Sequence, residues 1–186
     1  MCQDYLADQR LHRLLEKVDS DLAQAAKEKG CCRCGDTLYP DNYSRKPRGG
    51  PANWDKRLSF TCAQKRHRVT PPSVRFLGRK VYVGFVLVLV SAMNHGLKPQ
   101  RVEPLREMLG IDRRTLQHWR QWWLESFVQS PFWKAARARF MPGIVENKLP
   151  LSLCEAFQFE QRERLVELLR FLAPITTQSV PVAQLI

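Results

Sequence analysis

The chain has 186 residues and a formal net charge of +12 at pH 7. Its hydrophobic content of 44% is typical of folded proteins and excludes disorder of the whole chain. The longest apolar run, residues 81–90, is too short to span a bilayer, and the N-terminus lacks the apolar stretch of a signal peptide. We therefore expect a soluble cytoplasmic protein, with no membrane partner, whose six cysteines stay reduced or bind metal.

Residues 5–29 are predicted to form one helix. Apolar side chains recur there at steps of three and four residues: Leu11, Leu14, Leu15, Val18 and Leu22. Gly30 is placed to end this helix. The narrow apolar stripe indicates packing against a neighbouring element and implies no chemistry.

Four residues with metal-ligand side chains bracket the next loop. Cys31 and Cys34 have the spacing of a metal knuckle, and Cys62 and His67 offer a second, looser pair. Three thiolates and one imidazole would complete a tetrahedral Zn²⁺ site of the structural kind, with no position open for water. Cys32 could replace Cys31, with poorer geometry, and loose thiols beside a surface histidine are the alternative to a metal site.

Positive charge is concentrated in two parts of the chain. Residues 33–80 contain twelve lysines and arginines against three aspartates, a net charge of +9, and residues 98–139 carry +5. Such a concentration indicates a polyanionic partner, most often nucleic acid, whereas a basic surface kept for solubility is the alternative.

The first basic part is predicted to be a zinc ribbon with a basic loop. Alternating segments at residues 38–39 and 58–60 predict strands beside the metal, and the prolines and glycines between them predict a loop. Basic side chains interleaved with Tyr43 and Trp54 suit phosphate contact and base stacking, although packing of Trp54 against the ribbon is equally open. The predicted nucleic-acid contacts here are Arg45, Lys46, Arg48, Trp54, Lys56, Arg57, Lys65, Arg66, Arg68 and Arg75.

The second basic part is predicted to contain a helix–turn–helix. A buried helix is favoured over a strand for residues 79–94, and a second apolar helical face runs through residues 102–109. A sharp turn at residues 110–112 follows, and Asp112 can cap the next helix. Arginine and glutamine can read base edges, and a plain helical hairpin is the alternative. The predicted outward residues are Arg113, Arg114, Gln117, His118 and Gln121.

The remaining residues are predicted to be helical. Residues 131–140 form a short basic helix, and residues 151–172 a longer one with a kink or second start at Phe159. The whole chain is therefore predicted to be α+β and mostly α. Its predicted segments are an N-terminal helix (1–29), the zinc ribbon with its basic loop (30–73), a helical segment with the helix–turn–helix (74–127), and C-terminal helices with a tail (128–186).

This layout resembles the N-terminal DNA-binding part of insertion-sequence transposases and of small accessory proteins carried by such elements. The resemblance covers residues 31–124 and rests on the CxxC ribbon, the basic stretch Arg66-His67-Arg68-Val69-Thr70, and the helix–turn–helix. His67 stands where such ribbons more often carry cysteine. The resemblance implies that the ribbon and following helices position an enzyme on the terminal DNA of the element. The expected protein partners are a transposase or other protein subunits.

The segment after residue 124 departs from that family. Its DDE transposases continue into a ribonuclease-H-like domain whose acidic residues hold two Mg²⁺ ions, whereas this chain continues with helices bearing surface glutamates. It also lacks HExxH, GxSxG and Gly-rich phosphate motifs. We therefore expect no enzyme activity.

The expected function is that of a zinc-dependent nucleic-acid-binding protein that prefers duplex DNA over RNA. It would serve as a DNA-recognition or accessory subunit of a mobile genetic element. An RNA-binding structural subunit of a larger nucleoprotein complex is the main alternative, and a truncated, inactive transposase is a third.

Overall fold

The computed structural model describes residues 2–77, 82–96, 107–140 and 143–177. These residues form an α+β, mostly helical fold, which confirms the predicted class at that level. The helices are α1 (Cys2–Ala7), α2 (Gln9–Lys29), α3 (Gly84–Gly96), α4 (Arg113–Gln121), α5 (Pro131–Ala136), α6 (Leu151–Ala156) and α7 (Arg162–Leu172). The strands are β1 (Leu38–Pro40), β2 (Tyr43–Ser44), β3 (Lys56–Arg57), β4 (Phe60–Cys62) and β5 (Arg68–Val69). A π-helical turn continues α4 over Trp122–Phe127, and 3₁₀ turns cover Arg137–Phe140, Glu146–Lys148 and Ala173–Thr176.

The predicted N-terminal helix is divided into α1 and α2 at Asp8. The Asp8 carboxylate accepts hydrogen bonds from the backbone N–H groups of Arg10 and Leu11, at 2.9 and 3.1 Å, and so caps α2. It also forms an ion pair with Arg162 of α7, with 2.7 Å between Oδ2 and Nε. Gly30 ends α2 as predicted, with a φ of +75° that favours glycine.

The ribbon contains a three-stranded antiparallel sheet in the order β1-β4-β5 and a separate hairpin of β2 and β3. Leu38 pairs with Cys62, so the predicted pairing is present, with the second strand two residues later than predicted. The predicted loop at residues 40–55 contains β2. One sheet face packs on the end of α2, and the buried side chains there are Ala23, Cys31, Leu38, Phe60, Cys62 and Val69.

Helix α3 lies at the centre of the helical part of the molecule. Side chains 85–90 are all buried on every side, which explains their continuous apolar run. The helix contacts α4, α6 and α7. It begins at Gly84 and not near residue 79 as predicted, and residues 78–81 lie outside the described ranges.

The predicted long C-terminal helix is two helices, α6 and α7. Gln158 adopts a φ of +51° between them, so the second start predicted near Phe159 is confirmed. The hydroxyl of Tyr5 donates a hydrogen bond to the carbonyl oxygen of Glu160 at 2.7 Å. The segment between α6 and α7 therefore contacts helix α1. Of the predicted tail, residues 178–186 lie outside the described ranges.

One large hydrophobic core takes side chains from all four predicted segments, including Leu11, Trp54, Trp123 and Leu168. A buried polar cluster at Asp19 also connects the N-terminal helix to residues 73–75. Its carboxylate, 1% exposed, accepts from the Ser73 hydroxyl and the Val74 N–H, both at 2.6 Å, and from Arg75 Nε at 2.8 Å. Among the helices that the structure describes, none combines the length and apolarity needed to cross a membrane.

Candidate metal centre and basic surface

The sulfur atoms of Cys31, Cys34 and Cys62 lie within 4.8 Å of one another. The Cys34 and Cys62 sulfurs are separated by 3.5 Å. Cys31 follows directly on the glycine that ends α2, and β1 pairing holds the start of the second knuckle beside the first. The three thiols form a cluster that could hold a metal ion.

The same type of backbone turn occurs in each of the two knuckles. In the first, the N–H of Gly35 donates to the carbonyl oxygen of Cys31 at 2.8 Å, and in the second Arg66 donates to Cys62 at 3.0 Å. Gly35 and Arg66 both have positive φ, +73° and +52°. Lys65 therefore occupies the position in the second knuckle that Cys34 occupies in the first.

Backbone amides point at two of the sulfur atoms. The N–H of Arg33 lies 3.4 Å from the Cys31 sulfur, and that of Lys65 lies 3.2 Å from the Cys62 sulfur. At Cys31 this contact favours the thiolate form, which is the form that ligates metal. In the second knuckle, Lys65 thus contributes its backbone N–H to the Cys62 sulfur, although its side chain cannot ligate a metal.

His67 lies beside the thiol cluster. Its Nε2 is 3.5 Å from the Cys31 sulfur. The group whose ligand atoms all lie within 4.8 Å of one another comprises the three cysteines without His67. The other ring nitrogen, Nδ1, is buried and has no hydrogen-bond partner among the described residues. Cys32 is exposed, and it is Cys31 that joins the cluster.

The thiols influence one another's protonation. Burial raises the pKa of Cys31, but the hydrogen bonds from the Arg33 amide and the neighbouring Cys34 outweigh it and lower the pKa to about 7. For Cys34, the Asp36 amide acts to lower the pKa, but the nearby Cys31 and burial raise it to about 11. Cys31 and Cys34 lie close enough that the charge of one thiolate opposes ionisation of the other.

Three of the predicted nucleic-acid contacts are interior residues. Trp54 is 0% exposed, and its indole N–H donates to the Glu16 carboxylate. Buried Arg57 donates to the carbonyl oxygen of Pro71, and buried Arg75 pairs with the Asp19 carboxylate. These three predicted contacts are therefore corrected, because their side chains are buried and bonded to partners within the protein.

Most other basic residues predicted in the ribbon do lie at the surface. The exposed ones are Lys46, Arg48, Lys56, Lys65, Arg66 and Arg68. Arg45 is half-buried, with its guanidinium 5.5 Å from the ring centre of Phe76. Arg33, which was not predicted as a contact, is also exposed on the first knuckle. The thiol cluster is thus bordered by cations on both knuckles.

Helix α4 presents the predicted polar face. The outward residues Arg113, Arg114, Gln117, His118 and Gln121 are all exposed. Leu116 and Trp119 are buried on the opposite side, and Asp112 accepts from the Thr115 N–H at 2.6 Å, which confirms the predicted cap. The first helix of the predicted pair falls mostly in residues 97–106, outside the described ranges.

Tyr82 connects the turn before α4 to the ribbon loop. Its hydroxyl donates to the carbonyl oxygen of Gly110 at 3.0 Å and accepts from Arg48 Nη1 at 3.3 Å. Its ring packs edge-on against Trp119, with 5.1 Å between ring centres. Sequence reasoning gave this tyrosine no role, and its position in an apolar run carried no sign of one.

Tyr39 is a further residue that sequence reasoning assigned to a strand only. It is 60% exposed at the middle of β1. The alternation of Leu38 and Tyr39 was the available signal, because a strand that buries one side chain turns the next one outward.

Comparison of the chain with protein-family models, with curated proteins and with solved structures gave no match.

Proposed function

We propose that this chain is a zinc-dependent nucleic-acid-binding protein, with Zn²⁺ held by Cys31, Cys34, Cys62 and His67. Tetrahedral zinc has Zn–S bonds of about 2.3 Å, which separates ligand sulfurs by roughly 3.8 Å. The 3.5 Å between the Cys34 and Cys62 sulfurs is close to that separation. The 3.5 Å between the Cys31 sulfur and His67 Nε2 supports the imidazole as fourth ligand. Such a set leaves no position for a substrate, so the ion would be structural.

The observation that carries nucleic-acid binding is the group of exposed cations on the two knuckles of this centre. Lys65 and Arg66 lie on the second knuckle and Arg33 on the first. A metal-braced turn holds such side chains at fixed positions, and fixed cations suit phosphate contact.

The exposed face of α4 favours duplex DNA as the ligand. Arg114 and Gln117 project from a helix whose inner side is anchored by Trp119, and such side chains can reach base edges in a major groove. We propose that the chain is a DNA-recognition or accessory subunit of a mobile genetic element, without a catalytic site of its own. The resemblance of its layout to insertion-sequence proteins supports that role.

A salt titration tests the proposal. Zinc-loaded protein is titrated onto a fluorescent DNA duplex from low to physiological ionic strength, with duplex RNA as competitor. Each phosphate contact contributes about −0.9 to the slope of log K against log salt, so we expect a steep fall in affinity. Removal of zinc with a chelator should also abolish binding. A flat salt dependence would exclude nucleic acid, and stronger competition by RNA would favour an RNA-binding role.

A further inference from the structure

We propose that the outer face of the three-stranded sheet binds unpaired bases of single-stranded nucleic acid, with Tyr39 as the stacking ring. This inference rests on the proposed nucleic-acid function and names a ligand class for one part of it. The site comprises Tyr39, Thr61 and Arg68 across the three strands, with Asp41 and Tyr43 beneath Arg68. We call it the outer sheet face.

Strand register places its members side by side. Tyr39 of β1 pairs with Thr61 of β4, and Thr61 pairs with Arg68 of β5. Paired residues point to the same side of a sheet. The alternate residues Leu38 and Cys62 point to the buried side, where they join the small core that packs on α2. The outer sheet face is therefore the side opposite this core.

Tyr39 offers a large ring to the solvent. Its exposure of 60% exceeds that of Met108 and Val145, the two other large hydrophobic side chains exposed among the described residues. Aromatic rings in this position stack on nucleobases, and the interaction tolerates any sequence because every base has a π-face.

Arg68 lies on the same sheet face as that ring and is held by Asp41 and Tyr43. Its Nη2 lies 2.9 Å from Asp41 Oδ2, and its guanidinium carbon is 5.1 Å from the ring centre of Tyr43. The Thr61 hydroxyl donates to the same carboxylate oxygen at 2.6 Å. A guanidinium fixed in this way can serve as a second stacking surface, because unpaired bases also stack on arginine planes.

The positive charge near this face favours a nucleic-acid strand over an apolar protein as the ligand. Asp41 offsets the charge of Arg68, so phosphate contact falls to exposed Lys65 and Arg66, three and two residues before β5. An aromatic ring bordered by cations complements a strand that carries both bases and phosphates. In a duplex the base faces are already stacked, so occupation of this surface requires unpaired bases.

The test compares two labelled oligonucleotides of equal length and charge, oligo-dT and its abasic counterpart. Binding of the zinc-loaded chain is followed by fluorescence anisotropy. We expect Tyr39→Ala to weaken oligo-dT binding on the order of 10-fold and to leave abasic binding unchanged, because only the former can stack. Tyr39→Phe should retain wild-type affinity. Met108→Ala, which removes another exposed side chain, should affect neither ligand.

Equal binding of the two oligonucleotides by the wild-type chain would overturn the inference, as would an unchanged affinity of Tyr39→Ala for oligo-dT. If Tyr39→Ala loses its zinc, Tyr39→Leu replaces it, since leucine keeps apolar area without a π-face. Duplex DNA is titrated in parallel. Duplex binding without base-dependent single-strand binding refutes only the stacking site, whereas no binding of any oligonucleotide at low salt refutes the proposed function itself.

Discussion

Asp19 and Arg75 form an ion pair inside the protein, with 2.8 Å between the carboxylate Oδ2 and the guanidinium Nε. The pair joins α2 to the segment that leads from the ribbon into the helical core. The same carboxylate also accepts from Ser73 and Val74, so one side chain satisfies three donors.

Replacement of Asp19 by Asn should destabilise the fold strongly. It would leave the buried Arg75 charge without a counter-charge, and loss of one partner of a buried pair costs about 3–5 kcal/mol. Chemical denaturation of the variant measures the free energy of unfolding. Asp21→Asn, an exposed change on the same helix, is the matched control and should cost less than about 0.5 kcal/mol. Equal stability of the two variants would show that the ion pair contributes nothing.

Gly30→Ala should weaken metal binding more than Gly35→Ala. Both glycines have positive φ, but a Cβ at Gly30 would lie 2.6 Å from the Gly35 carbonyl oxygen, whereas a Cβ at Gly35 meets nothing within 4 Å. The clash would distort the first knuckle, on top of a backbone strain of about 1–3 kcal/mol. Competition with a zinc chelator measures the affinity of each variant. Similar affinities for both would show that the knuckle can shift without loss.

The thiol cluster predicts which cysteines bind zinc. Protein purified without added zinc should contain close to one equivalent, and Cys34→Ser should lose it, together with the ribbon fold. Cys32→Ser and Cys154→Ser should keep it, because Cys32 is exposed outside the cluster and Cys154 is buried in the helical core. Metal analysis and circular dichroism provide the measurements. Zinc loss in Cys32→Ser would reassign the first ligand.

Trp54→Phe should lower stability and leave DNA affinity unchanged. The substitution removes the hydrogen bond to Glu16 and leaves space beside His12, whose ring centre is 5.4 Å from that of Trp54. We expect a loss of about 2–3 kcal/mol in the free energy of unfolding. Duplex affinity is measured at a temperature where the variant is fully folded. Weakened DNA binding at unchanged stability would restore Trp54 as a contact residue.

The two basic surfaces should contribute differently to DNA binding. Arg114→Ala and Gln117→Ala should each relax base preference, by about 1–3 kcal/mol at one position if the contact is bidentate. Lys46→Ala combined with Lys56→Ala should weaken all sequences about equally, because phosphates carry no sequence information. Selection from a randomised DNA pool compares the profiles. An unchanged profile for the α4 variants would make that helix a scaffold.

The local features of this fold were predictable from sequence. The spacing of Cys31 and Cys34 and the cap at Asp112 depend on residues within one turn, and both are present. The helix break at Asp8 and the burial of Trp54 depend on distant partners, Arg162 and Glu16 respectively.

The second knuckle also could not be predicted in full from the sequence. Its turn repeats that of the first knuckle with Lys65 where a ligand would be expected. The side chain that lies beside the cluster, His67, comes from two residues further along the chain. Spacing alone indicated that Cys62 and His67 belong together, but only the backbone hydrogen bonds reveal that the knuckle itself is complete without a second cysteine.

Tyr82 gives the proposed DNA-binding surface a fixed length. Its hydroxyl bonds to Arg48 on the ribbon side and to Gly110 in the turn before α4, so the loop and the turn cannot separate without loss of one of these bonds. On a DNA target, the bases read by α4 and the phosphates held by the loop would then stand at one set spacing. A single inserted base pair would shift one contact by about 3.4 Å and rotate it by roughly 35° around the duplex. The chain would thus discriminate DNA targets by the spacing between the two contacted regions as well as by their sequence.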